Sequence, residues 1–119
     1  MADPSVIDPQ AIENLRALNP GDNDEFLREI VGIFLEDTPQ RLDELEQSRA
    51  AGDVTRFARA AHSIKGSSSN LGATALRAAA EKLEHQARSE GLNGIGPHAA
   101  AVRAEFERAQ AALKALVAG

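Results

Sequence analysis

The chain has 119 residues, a formal net charge of −5 and no cysteine. Its length is at the usual size for one domain and predicts a single core. Without cysteine there are no disulfides, thiolate zinc sites or cysteine nucleophiles, and the negative charge argues against nucleic acid, whose phosphates would repel it. Hydrophobic residues make up 43% and aromatics only 3%, so alanine and branched aliphatics must fill the interior. No apolar run approaches the ~20 residues of a membrane span, and the opening Met1-Ala-Asp-Pro has neither the charged nor the apolar region of a signal peptide. The expectation is a cytoplasmic protein that binds neither membrane nor nucleic acid. The charge is also uneven: residues 1–50 carry twelve Asp/Glu against four Lys/Arg, and residues 51–119 six against nine. An acidic partner for the second half is one reading; scatter of solvated helix faces is the other.

Residues 1–7 read as a polar lead and 8–119 as the domain. Asp8 is placed to cap a helix with Pro9 at its first position, where the missing N–H costs nothing. Ile12, Leu15 and Leu18 recur at helical spacing up to Asn19-Pro20-Gly21. Asp22 to Asp24 offer caps for a second helix over about 23–51, whose broad apolar stripe runs from Phe26 to Leu45. Thr38-Pro39 falls inside it, so one kinked helix is favoured over two abutting ones. Gly52-Asp53 is a stop followed by a cap. The third helix carries Val54, Phe57, Ala61 and Ile64 and turns at Asn70-Leu71-Gly72. Thr74 is placed to cap a fourth helix through Leu76, Ala80, Leu83 and Ala87. Gly94, Gly96 and Pro97 mark a loop before a last helix with Val102, Phe106, Ala109, Leu113 and Leu116 inside. No stretch alternates with a period of two. The predicted fold is all-α: an antiparallel four-helix bundle covered by a short additional N-terminal helix.

The chemistry lies in Ala60-Ala-His-Ser-Ile-Lys-Gly-Ser-Ser-Ser-Asn-Leu-Gly72. On a helical wheel with Phe57 at zero, Ala61, Ile64, Ser68 and Leu71 fall within ~40° and define a buried face. On the same wheel His62 lies at about 140°, Ser69 at about 120°, Lys65 at about 80° and Gly66 at about 180°. The histidine therefore points outward, Lys65 stands one turn on, and Ala58 and Gly66 leave little bulk beside it. A mid-helix glycine costs ~1 kcal/mol relative to alanine, a cost that makes sense if another protein approaches this face. Free imidazole titrates near pH ~6.5 and is nucleophilic when neutral. An ammonium one turn away offsets charge on phosphoryl oxygens, and a serine hydroxyl can bond those oxygens or the second ring nitrogen. His-x-x-Lys on a helix is common, so the spacing alone is a weak signal.

The whole string is stronger. His62-Ser-Ile-Lys65-Gly66-Ser67-Ser-Ser-Asn-Leu71-Gly72 resembles the H-[ST]-[LI]-K-G-[SA]-x-x-x-[LIV]-G signature of histidine-containing phosphotransfer (HPt) domains. Phe34-Leu-Glu-Asp-Thr-Pro-Gln-Arg-Leu42, Gly52-Asp53, Leu76 and Leu83-Glu84 extend the resemblance over about residues 8 to 117. It implies a motif that stays helical to about Asn70, against the loop propensity of three serines. It implies His62 as phosphoacceptor, Lys65 as the phosphate-side cation, and Ser69 as a hydrogen-bonding group near the ring. Docking is expected over Ala58, Arg59 and Gly66.

The implied partners are receiver domains of a hybrid sensor histidine kinase and of a response regulator. The protein is expected to be a monomeric phosphocarrier with no cofactor or metal of its own, Mg²⁺ being held by the partner receiver. No nucleotide-binding glycine pattern occurs, so self-phosphorylation from ATP is not expected. Two alternatives stay open: the phosphorylated domain of a chemotaxis-type kinase, and a helical adaptor in which the motif is unused. Elsewhere, Glu81 and His85 share metal-ligand spacing but read as a surface pair. His98 reads as exposed at a helix start. Arg56 and Arg59 are candidates to steer a partner, with ordinary solubility charge the competing reading.

Overall fold

The caps and stops in the sequence divide the chain into five helices in a computed structural model, which describes residues 6–118. They are α1 (Pro9–Leu18), α2 (Glu25–Ala51), α3 (Val54–Asn70), α4 (Thr74–Glu90) and α5 (Gly96–Ala118). Helices α2 to α5 form the bundle: α3 packs against α2 on one side and α4 on the other, and α5 closes against α4 and α2. The short α1 lies on α2.

Several predicted signals act as read. Asp8 caps α1 by accepting from the Gln10 N–H at 3.0 Å, and Asp53 caps α3 by accepting from the Arg56 N–H at 3.1 Å. Others shift by a residue or two. Asp24 holds the cap position of α2 in a left-handed conformation with no side-chain capping bond, and Asp22 instead accepts from the Phe26 N–H at 3.0 Å. Ala73 takes the cap position of α4, leaving Thr74 as the first helical residue. Gly96-Pro97 opens α5 rather than lying in the loop, since a first-turn proline needs no N–H. Helix α2 runs through Pro39 without a break.

The core is aliphatic and alanine-rich, with Phe34 and Phe106 meeting across α2 and α5 at a ring separation of 5.7 Å. Ala58, Ala60, Ala61, Ala80 and Ala87 are all buried, and such small side chains let α3 and α4 approach closely. The stripes are not wholly inside: Leu15 and Leu116 are half-buried, and Leu18 and Ile33 are exposed. Val6 and Ile7, read from sequence as part of a polar lead, are buried in the core. Ile7 directly precedes the Asp8 cap and Ile12 is the fourth helical residue, the two positions of a hydrophobic staple. Packing therefore begins by Val6.

The motif's last glycine is required by this packing. Gly72 has φ +68°, and a Cβ there would meet Ala11 Cβ at 2.5 Å. Its carbonyl accepts from the Asp8 N–H at 2.8 Å, tying the start of α1 to the α3–α4 turn. Gly72 thus sets where α3 ends, while the chemistry lies further back along the helix.

Candidate functional site

Helix α3 stays helical through its serines because two hydroxyls satisfy the backbone from within. Ser67 Oγ donates to the Ser63 carbonyl at 3.0 Å, and Ser68 Oγ to the Ile64 carbonyl at 2.6 Å. Ser68 is fully buried this way without an unpaired polar atom. Phe57, Ala61, Ile64 and Leu71 face the core as the wheel requires. His62 points out, its side chain 62% exposed.

The neighbouring helix supplies what α3 lacks. Glu84 of α4 lies at the rim of the α3–α4 groove with its side chain only 13% exposed, and three donors converge on its carboxylate. His62 Nδ1 lies 3.2 Å from both oxygens. Lys65 Nζ is 3.1 Å from Oε1, and Arg88 Nε is 3.1 Å from Oε2. Burial by itself would push the Glu84 carboxyl up; hydrogen bonds from Lys65, His62 and Arg88 outweigh it and hold the group below its ordinary value. Glu84 is therefore a carboxylate near neutral pH, and a carboxylate only accepts. The bond to His62 requires the proton on Nδ1, which leaves the lone pair on Nε2.

This is a nucleophile with one nitrogen occupied and the other free, on an exposed helix face. A family model for the Hpt domain matches residues 29–112. The chain belongs to the Hpt domain family. Over 93 residues it is 26% identical to multistep phosphorelay regulator 1 of Schizosaccharomyces pombe; that stretch covers 78% of this chain and 32% of the relative. The chain thus spans about a third of the length of that curated relative. Among solved structures it is similar to histidine-containing phosphotransfer protein B of Pseudomonas aeruginosa PAO1. The TM-score is 0.82 with 28% identity, covering 92% of this chain and 91% of the other. The family is one of phosphocarriers, not kinases.

Within this Hpt domain the predicted site residues separate. His62 and Lys65 meet on Glu84. Gly66 lies on the open face, and a Cβ there would meet no atom within 4 Å. Arg59 is exposed one turn before His62. Arg56 is not simply exposed: half-buried, it bonds Gln47 at 2.9 Å and pairs with Glu44 at 3.6 Å, both on α2. Ala58 is a correction. It is fully buried, because α3 is flanked by α2 and α4 and its buried arc is wider than the wheel allowed, so Ala58 supports the helix from behind and presents nothing to a partner. Ser69 is exposed, and the group that bonds the imidazole is Glu84.

Glu84 and Arg88 were the residues that sequence reasoning missed. Glu84 follows the core residue Leu83, which places it at a helix edge, and Arg88 follows four residues later. Only the register of α4 against α3 brings them level with His62. Glu81 bonds Arg77 at 3.4 Å in place of the expected pairing with His85, and His98 is half-buried rather than exposed. No helix of the described residues is long and apolar enough to cross a membrane.

Proposed function

We propose that this Hpt domain takes a phosphoryl group from a receiver domain's aspartyl phosphate onto Nε2 of His62 and passes it to the aspartate of a second receiver. The observation that carries this reading is the exposed imidazole whose Nδ1 is engaged by Glu84. The Nε2 lone pair attacks phosphorus in line as the bond to the aspartyl oxygen breaks. The aspartate leaves as a carboxylate, and the Nδ1 proton stays in place, facing Glu84. No base is needed to remove a proton from the attacking nitrogen. The ring becomes cationic in the product, and Glu84 stabilises that charge. Lys65, one turn along, lies on the phosphate side of the ring. Among the described residues no group of three or more Asp, Glu or His is arranged to hold a metal; charge neutralisation by Mg²⁺ belongs to the receiver.

Docking is assigned to the outer face of α3 together with α2. Gly66 leaves the helix backbone uncovered, Arg59 is a charge at the edge, and Ile33 of α2 is a 58% exposed apolar residue. Ile33 borders a hollow lined by Asp37, Ser67 and Asn70. A small, mostly apolar patch suits a relay, in which complexes must form and separate quickly. The partners in this reading are the receivers of a hybrid sensor histidine kinase and of a response regulator, met by a monomer in the cytoplasm.

The test is incubation with a phosphorylated receiver followed by assay for acid-labile, base-stable phosphate. Wild-type protein becomes labelled, and His62→Gln abolishes the label while helix content and melting stay nearly unchanged. Label persisting in that variant, on His85 or His98, would refute the assignment.

A further inference from the structure

Glu84 has more cations than orienting an imidazole requires. One carboxylate holds Lys65 on Oε1 and Arg88 on Oε2, and Oε2 also faces His62 Nδ1. We propose that Arg88 is a second phosphate-side cation, held on Glu84 until His62 is phosphorylated and then transferred to the phosphoryl oxygens. The proposal rests on the reading of His62 as phosphoacceptor.

Helical geometry places the two cations on either side of the histidine. Side chains on a helix lean toward its N-terminus. Lys65 stands one turn C-terminal to His62 on α3, and Arg88 one turn C-terminal to Glu84 on α4. Consecutive bundle helices run in opposite directions, so the two side chains reach Glu84 from opposite ends of the groove, with the imidazole between them.

Accessibility separates their roles. The Lys65 side chain is 25% exposed, whereas Arg88 is 52% exposed in an i,i+4 pair on its own helix. Exposed pairs of this kind contribute little to stability, so Arg88 can leave Glu84 cheaply. The charges also match. Glu84 with two cations leaves one positive charge in excess, and a phosphoryl group brings up to about two negative charges. Guanidinium can offer two parallel N–H donors to phosphoryl oxygens, which the compact lysine ammonium cannot. In the exchange no covalent bond changes: Arg88 releases Oε2, and Glu84 keeps the Nδ1–H.

Arg77 provides a matched control. It makes an i,i+4 pair with Glu81 at 3.4 Å, also on α4 and also exposed, away from the histidine. The experiment compares wild type, Arg88→Ala, Arg88→Lys and Arg77→Ala in two measurements. The first is the equilibrium partition of phosphate between this protein and a receiver. The second is the pH titration of the phosphohistidine ³¹P signal after the receiver is removed. Arg88→Ala should move the partition toward the receiver by about threefold to tenfold, the scale of one charge-assisted hydrogen bond at a partly exposed site. It should also raise the phosphoryl pKa, because a cation beside the phosphate favours its dianion. Arg88→Lys should restore part of both effects, and Arg77→Ala should resemble wild type. Unchanged partition and titration in Arg88→Ala would overturn the proposal while His62 is still phosphorylated. An equal loss in docking of the unphosphorylated protein would overturn it too, reducing Arg88 to a steering charge. If wild-type His62 takes no phosphate at all, the underlying reading falls and this proposal with it.

Discussion

The two flanks of α3 are built differently. Toward α4, one carboxylate receives three donors and leaves positive charge in excess beside an exposed imidazole. Toward α2, charges are largely closed on one another. Arg41 bonds Glu44 at 2.7 Å and pairs with Asp37 at 3.5 Å, and Arg56 bonds Gln47 and pairs with Glu44. What α2 leaves outward is the apolar side chain of Ile33. The contrast assigns a task to each flank: uncommitted charge serves phosphoryl chemistry, while neutralised charge beside apolar surface serves a contact that must form and release quickly.

Variants on each flank should therefore fail in different ways. The largest effect after loss of His62 itself is expected from Glu84→Ala. Groups that orient a reacting imidazole typically matter by ten- to a hundredfold, so transfer at saturating receiver should fall by about tenfold or more, with the fold intact because Glu84 lies at the rim. Glu84→Gln should recover part of the rate, since its amide oxygen still accepts from Nδ1–H. Rapid-quench kinetics measure both. A smaller effect of the opposite kind is expected from Ile33→Ala on the α2 flank. Receiver affinity should weaken by about fivefold, corresponding to roughly 1 kcal/mol of lost apolar burial, with the saturated rate unchanged. If Ile33→Ala changed the saturated rate, or Glu84→Ala changed only affinity, the division between flanks would fail.

The smallest effect belongs to Gly66, which lies between the flanks. Gly66→Gln should stabilise the free protein by an amount on the order of ~1 kcal/mol, the helix-propensity difference, because the site is open. The same side chain should slow transfer by standing in the receiver's path. Chemical denaturation and transfer rates read the two consequences separately. Greater stability with unaltered transfer would remove Gly66 from the docking surface.

This contrast also marks where sequence reasoning stops. Capping at Asp8 and Asp53, the helical stretch through Ser67 and Ser68, and the outward direction of His62 follow from local rules: caps satisfy free N–H groups, and 100° per residue sets which side chains share a face. The Glu84 cluster does not, because His62 and Glu84 lie 22 residues apart and meet only through the sliding register of two helices. Ala58 was misplaced for a related reason. A wheel centred on Phe57 describes a helix with one buried face, whereas α3 is covered from two sides. Val6 and Ile7 were lost to a polar reading of the first seven residues, although an apolar residue just before a cap is the sequence mark of a staple. Ile33 erred the other way: the apolar stripe of α2 is broader than its buried face, and the surplus residue is the one left for a partner.

The central claim is that Glu84 holds the proton on Nδ1 and so directs phosphate to Nε2 of His62. The most direct test is the position of phosphorus on the ring, read from ¹⁵N–³¹P couplings in uniformly ¹⁵N-labelled protein phosphorylated by a receiver. The account predicts phosphate on Nε2 of His62, with Nδ1 protonated both before and after transfer. Phosphate on Nδ1, or a free protein whose His62 proton resides on Nε2, would contradict it.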